Sequence, residues 1–121
     1  MALGFSTAAA NTALDNQGTA YPWVKLHTAA PGGAGTTAAA TETTRKQVTW
    51  AAASSASKAS SADLVWTGVA GTETYTHFSL WSASTAGNFG GSGTITANGV
   101  TSGDTFTIPS GSLTLTLPVA S

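Results

Sequence analysis

The 121-residue chain contains no cysteine, which excludes disulfides, thiolate zinc sites, iron–sulfur clusters and a cysteine nucleophile. Charge is almost as scarce. Four Lys/Arg and five Asp/Glu make up 7% of the residues, far below the roughly 25% of an ordinary soluble domain. With a net charge of −1 and no basic run, the chain has no electrostatic footprint for nucleic acid, whose phosphates must be met by clustered cations. Long apolar runs are missing too. The stretch from Thr74 to Gly103 is free of Lys, Arg, Asp and Glu, but it is studded with Gly, Ser and Thr and does not read as a membrane span of roughly 20 residues. The N-terminal MALGFSTAAA lacks a basic segment followed by a continuous apolar one, so no signal peptide is expected and folding in a cytoplasm is.

Large side chains are the last scarcity. Ala, Thr, Ser and Gly number 23, 22, 14 and 14, leaving only 27 Leu, Ile, Val, Met, Phe, Trp and Tyr to form a core. That poverty borders on disorder, but disorder also requires high net charge, and the apolar residues here gather into short alternating runs. At this length a single core, hence a single folded domain, is the expectation.

The first element is a short helix expected over about residues 6–15, with Ser6 as N-cap, Phe5 stapling the first turn and Asn16-Gln17-Gly18 as the stop. Thereafter the period is two. Strands are expected at 22–28, from Arg45 to Trp50, at 62–67, at 74–81, from Phe89 to Ala97, at 105–108 and at 113–117, with 54–61 as a turn. The strand at 74–81 carries large groups on both faces and should be central or covered on both sides. Gly90, Gly91 and Gly93 suggest a bulge, and Asn98-Gly99 a hairpin turn. Residues 1–20 therefore read as a helical segment, and 21–121 as one domain with a long loop at 29–44. The fold class is all-β: an antiparallel sandwich of about seven to eight short strands, with a small barrel as the alternative.

Little in this pattern resembles catalytic machinery. His27 and His77 lie on strands beside aromatics, and a metal or general-base pair is one reading; ordinary hydrogen-bonded strand histidines is the simpler one, because a catalytic zinc takes about three protein ligands. Glu42, Asp63, Glu73 and Asp104 lack metal-site spacing, no serine sits in a nucleophile elbow, and the glycine runs at 32–35 and 90–93 lack a phosphate-loop lysine. Neither cofactor nor metal is expected. Of Trp23, Trp50, Trp66 and Trp81, at least three are expected in the core, Trp66 and Trp81 foremost, and Trp23 outside it.

The runs Val24-Lys25-Leu26-His27-Thr28, Pro31-Gly32, Glu42-Thr43-Thr44-Arg45 and Gln47-Val48-Thr49-Trp50 resemble a family of small tailed-bacteriophage structural proteins often labelled tail fibre proteins. So do Val65-Trp66, Thr74 to Trp81 and Gly103 to Gly111. Two positions depart from the family pattern, with Ala30 and Ser82 where acidic residues commonly stand. The resemblance implies a non-enzymatic virion surface protein of the tail-fibre type, present in many copies, docked on capsid or tail proteins and assembled in the host cytoplasm. Decoration of the phage head is one alternative, and a carbohydrate-binding module contacting a host-surface glycan is a second. Expected partners are other virion proteins and further copies of the chain, a trimer among the options, with neither nucleic acid nor membrane insertion. Phe5, Trp23, His27, Pro31, Arg45 and Trp81 are the candidate contact residues.

Overall fold

A computed structural model describes residues 4–117 and 119. A helix, α1 (Thr7–Ala20), precedes eight strands: β1 (Trp23–His27), β2 (Lys46–Gln47), β3 (Ser57–Ala59), β4 (Leu64–Trp66), β5 (Glu73–Trp81), β6 (Phe89–Val100), β7 (Phe106–Ile108) and β8 (Thr114–Thr116). One sheet has the order β2-β1-β5-β6, and two ribbons, β3-β8 and β4-β7, complete a sandwich-like arrangement that does not close into a barrel. Every strand pairing is antiparallel. Between the layers lie Val24, Leu26, Phe78 and Leu80 from the sheet and Leu64, Trp66, Phe106, Ile108 and Leu113 from the ribbons and their flanks.

β5 is central, as its large side chains on both faces require. It pairs with β1 from Trp23↔Trp81 to His27↔His77, and with β6 along its other edge. Its residues from Phe78 to Trp81 are all buried. The glycine-rich start of β6 supplies the expected bulge, because the register steps from Leu80↔Gly91 to Trp81↔Phe89 and leaves Gly90 over. A Cβ on Gly90 would lie 2.1 Å from Tyr21 Cγ, so only glycine lets the end of the helix approach this strand.

Two turn signals fail for instructive reasons. The helix does not stop at Asn16-Gln17-Gly18 but runs to Ala20, and Asp15 lies inside it instead of at its end. Gly18 is buried there, with a virtual Cβ 2.6 Å from Lys58 Cε and 2.9 Å from Trp50 Cδ1; it is a contact point, not a terminator. Asn98-Gly99 is not a turn either, since both residues continue β6 opposite Tyr75 and Thr74.

The hairpin that the sequence does not announce lies at 54–57, where a turn alone was expected. Ser55 and Ala56 adopt φ of 52° and 59°, and Ser54 and Ser57 exchange both backbone hydrogen bonds at 2.8 and 2.9 Å, the pattern of a two-residue hairpin loop. Non-glycine residues are strained in this region, and the helix supports them. Asn11 Oδ1 accepts from the Ala56 N–H at 2.9 Å, and one turn later Asp15 Oδ1 accepts from the Ala53 N–H at 2.9 Å and from Lys58 Nζ at 2.6 Å. Lys58 is only 6% exposed, and Asp15 together with the Ala51 carbonyl satisfies its ammonium. Beside Lys58 and the Ala53 amide, the Asp15 carboxyl is held below its ordinary range.

The expected strand from Arg45 to Trp50 is broken for a related reason. The chain pairs with β1 only at 46–47, then changes partner: Ser61 donates to the Thr49 carbonyl, and Trp50 bridges Ser60. Two of the four tryptophans, Trp66 and Trp81, are buried; Trp50 packs against the core half-buried, and Trp23 is half-buried at the start of β1. The expectation of three in the core is thus met by two, with Trp50 at its margin.

These contacts set a stability series. Ser55→Gly removes left-handed strain at an exposed site and should raise the unfolding free energy by about 1 kcal/mol. Gly18→Val should lower it by about 1–3 kcal/mol, because Trp50 and Lys58 must move. Gly33→Ala, with nothing within 4 Å of the added carbon, should change it little. Urea unfolding of the three variants measures all of these.

Candidate functional surface

The loop 29–44 has no large apolar residue, and the expectation is that its own side chains cannot bury it. The structure packs it down over the outer face of β1 and β5 instead. The Thr28 N–H donates to the Ala38 carbonyl at 3.0 Å and the Ala40 N–H to the Leu26 carbonyl at 3.1 Å, so the end of the loop returns along β1. Pro31 is buried, and its carbonyl accepts from the Thr37 N–H at 2.9 Å. Gly35 is buried directly beneath Phe89, which a Cβ there would strike at 2.3 Å.

Under this loop lies a buried polar chain. Trp81 Nε1–H donates to Ser79 Oγ at 2.7 Å, Ser79 Oγ lies 2.7 Å from His27 Nε2, and His27 Nδ1 lies 2.9 Å from the Thr37 carbonyl. A carbonyl only accepts, so Nδ1 carries the proton, Nε2 is the acceptor and the Ser79 hydroxyl donates to it. Every group is thereby satisfied with a neutral imidazole. Burial pushes the His27 pKa below its ordinary value, more than the Thr37 carbonyl raises it, and Lys25 and His77 add to the lowering.

Arg45 covers the outer side of this chain. Its guanidinium carbon sits 4.3 Å from the Trp81 ring centroid, and one of its nitrogens donates to the carbonyls of Ala83 at 2.9 Å and Ala86 at 2.7 Å. The loop between β5 and β6 is thus pinned to the strand it leaves. Trp81 is 7% exposed and packs at 5.5 Å from Phe89, while Trp23 lies opposite it in the β1–β5 register.

Four of the six candidate contact residues therefore converge on one face: Trp23, His27, Arg45 and Trp81. Pro31 belongs to the loop that covers them. Within this group Trp23 is half-buried and Arg45 intermediate, whereas His27, Pro31 and Trp81 are inside the protein. Phe5 stands apart. It is 37% exposed and bridges Val119, itself 46% exposed, where the two described ends of the chain run in parallel. His27 and His77 are directly opposed across β1 and β5, but His77 Nδ1 bonds the neighbouring Thr76 hydroxyl and His27 spends both nitrogens as described. Among the described residues, no three His, Asp or Glu side chains converge as a metal site.

The residue the sequence does not mark is Ser79, one of 14 serines. Its only signal is position: it shares a strand face with His77 and Trp81 and lies across from Lys25, between Trp23 and His27 on the paired strand.

The fold is that of a small sandwich-like β domain with one N-terminal helix. The chain belongs to the family described as Podophage GP4 fiber I protein gp80, whose family model matches residues 4–116 of the 121. It is therefore related to a bacteriophage fibre protein, and a structural virion role follows from that membership. No curated protein matches it.

The buried imidazole carries a pH dependence with a definite sign. In the unfolded chain His27 takes up a proton near 6.5, whereas the folded protein resists protonation until lower pH. Below about pH 6.5 the unfolded state therefore binds more protons, and stability should fall as pH falls until the folded imidazole also titrates. His27→Gln should flatten this part of the stability profile between pH 7 and 5. Ser79→Ala should cost about 2 kcal/mol by orphaning two buried nitrogens, measured by urea unfolding at pH 7.5.

Proposed function

We propose that the chain is a non-catalytic fibre component, carried in multiple copies on the phage particle and docked on other virion proteins. The observation that carries this reading is the family match, which spans residues 4–116 of the 121. The fold supports it: His27, Ser79 and Arg45 are consumed in holding loops to strands, and Lys58 and Asp15 in holding the helix to a strand. Head decoration is the competing placement, and no contact in the domain favours it over the fibre.

The docking point we assign is the apolar pair Phe5 and Val119. Among the described residues, two of the three exposed large hydrophobic residues sit side by side there, and Val65 is the third. A glycan-stacking role for Trp81 has no support, because Arg45 lies over its ring and Phe89 packs against it.

Immunogold labelling of intact particles tests the placement: gold on the fibres is expected, and gold over the capsid faces, or none, overturns it. Quantitative mass spectrometry of purified particles should return several copies per virion. A Phe5→Ser phage should carry at least about tenfold less of the protein, while the isolated variant keeps its melting temperature within a few degrees.

A further inference from the structure

The ties that hold loop 29–44 over the outer face of β1 and β5 are polar and local. Its end meets β1 through the Thr28 and Ala40 amides, and the Thr37 carbonyl accepts from His27 Nδ1 at 2.9 Å. A further tie lies at Thr41, whose N–H donates to the Glu73 carboxylate at 2.6 Å. With no large apolar residue of its own, the loop loses little buried area on lifting. β1 and β5, by contrast, are paired from Trp23↔Trp81 to His27↔His77 and bury Val24, Leu26, Phe78 and Leu80 on their other face.

His27 is enclosed beneath the loop at 0% exposure, and the ties suit its neutral ring. Nδ1–H gives to Thr37, and Nε2 takes the Ser79 hydroxyl hydrogen at 2.7 Å. A proton on Nε2 turns that acceptor into a donor. Ser79 Oγ, which already accepts from Trp81 Nε1, would then receive two hydrogens and lose the acceptor for its own. The charged groups around the imidazole offer no relief. Lys25 shares its face of β1, His77 stands opposite on β5, and Arg45 lies over the Trp81 ring. Glu42 and Glu73 are engaged elsewhere, the first by the Thr44 and Ala70 amides and the second by Thr41. β6, the other neighbour of β5, carries no charge. An imidazolium there is left to hydration, and hydration requires the loop to lift.

We propose that loop 29–44 is an acid-released flap latched by His27, which lifts on protonation and uncovers the aromatic face of Trp81 and Phe89 while β1 and β5 stay paired. Under a lifted loop the imidazole titrates near its ordinary 6.5, so the open form binds more protons and acid favours it. Between pH 7.5 and 5 this linkage favours opening by at most about thirtyfold. The flap goes beyond the fibre reading and does not depend on it.

Amide exchange on the purified full chain, corrected for the intrinsic effect of pH, reads the loop and the strands separately. From pH 7.5 to 5, exchange at Thr28, Thr37 and Ala40 should quicken about tenfold. Global unfolding is linked to the same proton, so urea distinguishes the two events: loop exchange should be nearly independent of low urea, whereas exchange from Phe78 to Trp81 should be slower and climb with it. His27→Gln should cut the acid response of the loop to less than about twofold, and Glu73→Gln should leave it in place. In the unmutated protein, the acid transition of the loop amides should share its midpoint with the His27 ring, followed by NMR. A loop that ignores pH, or that exchanges with the urea dependence of β5, overturns the proposal. So does an acid response that survives His27→Gln or is lost in Glu73→Gln. Should the His27 variant fail to fold, the ring titration decides, and loop amides that follow His77 instead of His27 overturn the latch.

Discussion

Everything in this domain is arranged around one strand that must be covered on both faces. β5 supplies Phe78 and Leu80 to the layer between sheet and ribbons, and Ser79 and Trp81 to the opposite side. A chain with only 27 large apolar residues cannot provide a second apolar layer of normal thickness over that opposite side. It covers the face with backbone instead. The loop 29–44 contributes carbonyls, small side chains and Pro31, and the polar chain from Trp81 through Ser79 and His27 to Thr37 ties strand to loop without leaving a buried group unpaired. Arg45 then closes the side by stacking on Trp81 and holding the Ala83 and Ala86 carbonyls.

The same economy explains the helix. α1 buries only Ala10, Leu14 and Gly18, which is too little apolar area to hold a helix against a core by itself. Asn11 and Asp15, one turn apart, add directed hydrogen bonds to the hairpin at 54–57, and Gln17 reaches the Gly90 carbonyl on the other flank. The helix is a brace between a strained turn and a glycine-rich strand. Lys58 is buried at the joint, so removing Asp15 would strand a cation and loosen more than one contact. Not every buried group has such provision: the Tyr75 hydroxyl has no partner among the described residues, and burial together with Glu73 and Glu42 pushes its pKa up to about 12.

The alternation around Val24, Leu26, Phe78 and Leu80 made the sheet legible in the sequence, because period two is imposed directly by a half-buried pleat. Long-range compensation was not legible. Asn98-Gly99 looks like a turn by local chemistry, yet the partner strand extends far enough to pair with both residues. Ser55-Ala56 falls in an expected turn, but the immediate return of the chain as β3 does not show locally, because what supports the left-handed backbone is Asn11, 45 positions away. Gly18 reads as a helix stop until Trp50 and Lys58 are placed against it. For the candidate surface, the residue types were visible and their exposure was not. Trp81 and His27 share a face with Trp23, but whether that face meets solvent depends on the loop 29–44, whose sequence carries no periodic signal.

Low charge links this internal economy to an outward one. A soluble monomer ordinarily relies on surface charge to keep its strand edges apart, and nine charged residues spread over the chain leave long stretches without that protection. Four of those charges are already committed internally: Lys58 to Asp15, Glu42 to the Thr44 and Ala70 amides, and Arg45 to two carbonyls and an indole. Such a surface is a liability for a protein that diffuses alone, and it suits the docked, multi-copy role proposed above. There, small uncharged side chains lower the cost of desolvating each contact, and high local concentration makes weak backbone pairing sufficient. The scarcity that limits the core to a thin layer therefore also prepares the outside for packing, and both follow from a chain built mainly of Ala, Thr, Ser and Gly.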